Sequence, residues 1–70
     1  MNVQLVEFKS QEATIIVTAG ELSVLANALN EARSEIDDWE FATRLGVSVA
    51  EAEKLREQIV AALERLEVGL

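Results

Sequence analysis

Apolar residues fall along this chain in two patterns. Up to residue 18 they come in short runs rich in β-branched side chains, and beyond it they recur every three or four positions. Residues 3–8 read VQLVEF and residues 13–18 read ATIIVT, compositions that suit a pleated surface. The polar residues 9–12 between them have the length of a hairpin connection. The spacing therefore predicts an antiparallel β-hairpin over residues 1–18. Val3 alternates with Leu5 and Val6 with Phe8, while Ile15 and Val17 share a face and Ile16 takes the other. Both faces are expected to carry apolar side chains. One would cover the helices, and the other would be left for a partner or a second copy.

The helical part begins at a capping box. Thr18 and Glu21 have the S/T-x-x-E spacing in which each side chain satisfies the other's backbone amide. A helix is predicted from there to about Arg33 or Glu35. Leu22, Leu25, Leu29, Ala32 and Ile36 form its apolar stripe, widened by Ala26 and Ala28. Asn27, Asn30 and Glu31 are expected to face water. Residues 37–45 suit a short helix with Asp37 or Asp38 as N-cap and Gly46 as a left-handed C-cap. Ser48 and Glu51 make a second capping box, and a last helix runs from about Val49 to Leu66. Its seam is Ala52, Leu55, Ile59, Ala62 and Leu66, thickened by Val60 and Leu63. The reading is one α+β domain over residues 1–70, ββααα, with a hairpin over 1–18 and a helical part over 19–70.

The last two helices have the packing positions of a helix-turn-helix unit: Phe41, Ala42 and Leu45 before Gly46, then Val47, Ala52 and Leu55. Those positions hold two helices at a tight turn and touch no bases. The face that would enter a major groove carries Ser48, Val49, Ala50, Glu53, Lys54 and Glu57. Residues 48–67 hold five acidic and three basic side chains. Phosphate and base-edge contacts need the opposite balance. The formal net charge of −7, from 13 acidic and 6 basic residues, repels nucleic acid and anionic membranes alike.

Composition removes more chemistry. The chain has no Cys, His or Tyr, so disulfides, thiolate or imidazole metal sites, and Ser-His or Cys-His nucleophiles are all unavailable. The three glycines are isolated and form no phosphate-binding loop. No cofactor, metal site or catalytic residue is expected. Asp37, Asp38 and Glu40 match no calcium-loop spacing. A 70-residue domain buries only about 60% of the surface its unfolded chain exposes, and usually needs an extra staple or self-association. No apolar run reaches the ~20 residues of a membrane span, and no signal peptide is visible. The expectation is a soluble cytoplasmic protein, bacterial in style.

Two sets of residues are candidates for interaction. Glu35, Asp37, Asp38 and Glu40 surround Trp39. Either the acids cap the short helix while Trp39 folds into the core, or Trp39 is an exposed anchor in an acidic rim that steers a basic partner. Val6, Phe8, Ile16, Ile59, Leu63 and Leu66 are the candidates for self-association, from the hairpin's second face and the last helix. A homo-oligomeric, non-catalytic interaction module, dimeric first of all, is the leading expectation. An acidic inhibitor of a basic protein, such as an immunity protein or antitoxin, is the alternative. A helix-turn-helix DNA-binding regulator ranks third because of charge.

The residues Glu21, Leu22, Leu25, Asn27, Ala28, Leu29, Asn30 and Glu31, then Glu40, Phe41, Thr43, Arg44, Leu45, Gly46 and Ser48, form the pattern EL-x-x-L-x-N-A-L-N-E … E-F-x-T-R-L-G-x-S. This resembles a small, uncharacterised bacterial protein family and covers about half the chain. The resemblance implies no activity. It draws attention to Arg44, expected to bridge to Asn30 and Glu31 and so tie the first helix to the short one. On that reading Arg44→Ala costs about 1–3 kcal/mol.

Overall fold

A computed structural model describes residues 1–7 and 11–67, with residues 5–7 described by their backbone alone. Five elements follow in the order expected: β1 (Asn2–Glu7), β2 (Glu12–Ile16), α1 (Ala19–Glu35), α2 (Asp38–Leu45) and α3 (Val49–Glu67). The two strands form an antiparallel two-stranded sheet, which with the three helices makes an α+β fold.

Local chemistry explains where the helices start and stop. At the head of α1 the Glu21 amide donates to Thr18 Oγ1 at 3.1 Å, and the Thr18 amide donates to Glu21 Oε1 at 3.0 Å. At the head of α3 the Glu51 amide donates to Ser48 Oγ at 3.1 Å, and Glu51 Oε1 accepts from the Ser48 hydroxyl and amide. Both capping boxes satisfy amides that a helix N-terminus otherwise leaves unpaired. Asp37 is the N-cap of α2 by its extended backbone, although its carboxylate makes no capping hydrogen bond. Gly46 ends that helix at φ 83°, its amide donating to the Ala42 carbonyl at 2.9 Å. Glu21 has a second task, since Oε2 accepts from the Met1 amine at 2.7 Å. That hydrogen bond, then the one from the Thr18 amide, holds the Glu21 carboxyl below its ordinary pKa.

The register pairs Val3 with Ile15, Gln4 with Thr14 and Leu5 with Ala13. It slips between Leu5 and Glu7, so a bulge falls at Val6. Opposed residues of an antiparallel pair lie on the same face of the sheet. Val3, Ala13 and Ile15 therefore share one face, while Asn2, Gln4, Thr14 and Ile16 share the other. Among described side chains the second face carries one apolar residue, Ile16, beside Asn2, Gln4 and Thr14. The Val6 side chain and Phe8 lie outside the described residues. Val17 is not in the strand, which ends at Ile16.

The main tertiary contact is α1 against α3, with α2 touching α3 more sparsely. Among the described residues Leu22 and Ala26 of α1, Phe41 of α2 and Ala52 of α3 are buried, and Phe41 is wholly inaccessible. The two alanines let the helices approach closely. Among the described residues the strands scarcely contact the helices, and all of β2 is exposed. One face of the hairpin was expected to cover the helices. It stands clear of them instead, because α1 and α3 already bury their stripes against each other.

The outcome is an open molecule. Its radius of gyration is 13.6 Å, against about 11 Å for a compact 70-residue domain. Its accessible surface is 5559 Å², against about 4,300 Å² for a folded monomer of this mass. Among the described residues no helix is long and apolar enough to cross a membrane.

Candidate interaction surfaces

Helical geometry turns Trp39 outward. Two residues apart on a helix are about 200° apart around its axis, so burying Phe41 points Trp39 away from the core. Trp39 is 79% exposed, which removes the reading in which it folds inside. Phe41 and the half-buried Leu45, four residues apart, mark the inward face of α2. That spacing was legible in the sequence and assigns Trp39 to the opposite side. Tryptophan fluorescence checks this directly. The emission maximum is expected in the red range of a hydrated indole, with full access to acrylamide. A blue, quencher-resistant emission from monomeric protein would contradict the exposed position.

The acids around Trp39 are exposed except for Glu40, which is half-buried. Two of them already have cationic partners. Asp38 Oδ1 accepts from Arg33 Nη1 at 3.0 Å, and Glu40 pairs with Arg44 at 3.8 Å across one turn. Among the described residues Glu35 and Asp37 have no ion pair. The corner is therefore less negative than the run of acids implies. Among the described residues no group of three carboxylates gathers into a shape that could hold a metal ion.

Arg33, not Arg44, ties the helices together. Its Nε donates to Glu53 Oε1 at 3.2 Å while its Nη1 holds Asp38, so one guanidinium joins α1, α2 and α3. Among the described residues Arg44 reaches only Glu40 on its own helix, and Asn30 and Glu31 are exposed. The bridge expected from Arg44 to Asn30 and Glu31 does not form. Asn30 lines the cleft between α1 and α3 beside Arg33, while Arg44 lies on the exposed side of α2. All partners of Arg33 are exposed, and exposed ion pairs contribute only about 0.2–1 kcal/mol each. Arg33→Ala is expected to lower stability by about 1 kcal/mol in low salt, and Arg44→Ala by less than about 0.5 kcal/mol. Urea unfolding of both variants at low and high salt measures it. An Arg44 variant less stable than the Arg33 variant would reverse the assignment.

Between α1 and α3 lies a cleft of about 140 Å³ lined by Asn30, Arg33, Ala52, Glu53 and Arg56 among others. Arg56 Nε is buried there without a hydrogen-bond partner among the described residues. A water in the cleft would satisfy it.

The seam predicted for α3 divides in two. Ala52 is buried and Ile59, Val60 and Leu63 are half-buried, so these face α1. Leu55 and Leu66, 48% and 50% exposed, form a flank with the exposed Ala62. Of the residues proposed for self-association, Ile16 and Leu66 are exposed and Ile59 and Leu63 are half-buried. On the face that would read DNA, Ser48 is engaged in the cap and Glu53 is held by Arg33.

No protein-family model, curated protein or solved structure matches the chain.

Proposed function

We propose that this chain is a non-catalytic protein-interaction module that works as a homo-oligomer, a dimer first of all, in the cytoplasm. One observation carries the reading: the chain exposes about 1,200 Å² more surface than a monomer of its mass should, 5559 Å² against about 4,300 Å². A standard interface takes about 800 Å² from each partner, so the excess is of the size that one dimer contact covers. Absence of Cys, His and Tyr supports the non-catalytic part. Sedimentation equilibrium across a micromolar concentration series tests it. Association is expected in that range, and a monomer at high micromolar concentration would overturn the reading.

A second reading rests on Trp39. An indole 79% exposed beside Glu35 and Asp37 has the chemistry of an anchor for a basic protein, as in an immunity protein or antitoxin. Its test is capture of a basic protein that blue-shifts Trp39 emission and is lost in Trp39→Ala. Capture unaffected by that substitution would rule Trp39 out as the anchor.

A further inference from the structure

We infer that the homo-oligomer is built hairpin on hairpin, with a second copy of this chain covering the face that carries Val3, Ala13 and Ile15. This rests on the homo-oligomer reading and adds which surface meets which. Three observations converge on it.

The register is the first. It gathers Val3, Ala13 and Ile15 on one face and sends Asn2, Gln4 and Thr14 to the other. Val3 and Ile15 are opposed and remain 58% and 46% exposed. An apolar sheet face left in water is the ordinary mark of a missing layer.

Support for the hairpin is the second. Two strands alone are marginal in water and need a surface to pack against. Among the described residues the helices scarcely touch this hairpin, which leaves its apolar face without a cover from the helices.

Charge is the third, and it selects a second copy as the occupant. Two chains of net charge −7 repel, and their contact is cheapest where charge is absent. Residues 1–6 and 13–20 contain no charged side chain, and only Glu7 and Glu12 of the 13 acids precede residue 21. The one cation at the hairpin's foot, the Met1 amine, is neutralised by Glu21. The rival apolar surface, Leu55, Ala62 and Leu66 on α3, is interleaved with Glu51, Lys54 and Arg65. A face that is its own partner also suits the commonest symmetry, a twofold in which one patch meets itself.

Sedimentation equilibrium of the full chain, of Ile15→Glu and of the double variant Leu55→Glu/Leu66→Glu tests the inference, with helical circular dichroism recorded for each. The wild type is expected to dimerise. A charge buried without a partner at Ile15 should weaken the dimer by about 100-fold or more while the helices persist. The double variant should dimerise as the wild type does. Because the chain has no native cysteine, a single Ala13→Cys substitution adds a readout that leaves the apolar face nearly intact. On mild oxidation it should give a disulfide-linked dimer, whereas Ala61→Cys on the exposed side of α3 should not. A wild-type monomer would overturn the homo-oligomer reading itself. A wild-type dimer that survives Ile15→Glu, or that cross-links through Ala61→Cys and not Ala13→Cys, would overturn the hairpin interface alone.

Discussion

Replacing Phe41 with Ala is expected to unfold the helical part or bring it close to unfolding. Among the described residues Phe41 is the one large side chain wholly removed from water, and the rest of the buried set is Leu22 and two alanines. Truncating a buried Phe costs about 3–5 kcal/mol through lost transfer energy and the cavity left behind. A chain of this length has a total stability of about 4–10 kcal/mol. A melting temperature lower by about 12 °C or more is the expected readout by circular dichroism. Phe41→Leu keeps most of the volume and should retain a cooperative transition. A Phe41→Ala variant that melts like the wild type would mean that α2 does not complete the core.

Gly46→Ala is expected to cost about 1–2 kcal/mol for a reason unconnected with packing. An added Cβ would meet nothing within 4 Å, so space is not the constraint. The constraint is the backbone, held at φ 83°, where L side chains strain against their own carbonyl. The melting temperature should fall by about 4–16 °C, and Gly46→Asn should recover part of that loss because Asn tolerates the left-handed region. An Ala variant as stable as the wild type would show that the turn relaxes to another conformation. Together Phe41 and Gly46 account for the helix-turn-helix likeness: one fills the space beneath α2, and the other lets the chain reverse into α3.

Much of this was legible one residue at a time. Thr18 with Glu21, Ser48 with Glu51, and Gly46 announce the helix ends by chemistry that acts within four residues. The structure places each of them as the spacing predicts. The outward direction of Trp39 was also readable, from Phe41 and Leu45 defining the opposite side of the same short helix. The bulge at Val6 was not. A one-residue slip changes which strand positions share a face, and nothing local in VQLVEF marks it. Arg33 and Arg44 illustrate the same divide. Each has an acid within reach along its own chain, and sequence spacing does not reveal that Glu53, twenty positions away, comes alongside Arg33.

The sequence by itself determined the elements, their order and their caps, along with a charge and a residue inventory that disfavour nucleic acid and nucleophilic catalysis. These are local or additive properties, set by propensity, short-range hydrogen bonds and composition. Only the tertiary structure decided that α1 and α3 bury their stripes against each other, that half the α3 seam is left as an outer flank, and that the hairpin stands clear with Val3, Ala13 and Ile15 bare. An apolar stripe states that a face must be covered without naming what covers it. That choice depends on which distant faces fit, and it is settled only when all the elements compete for one another at once.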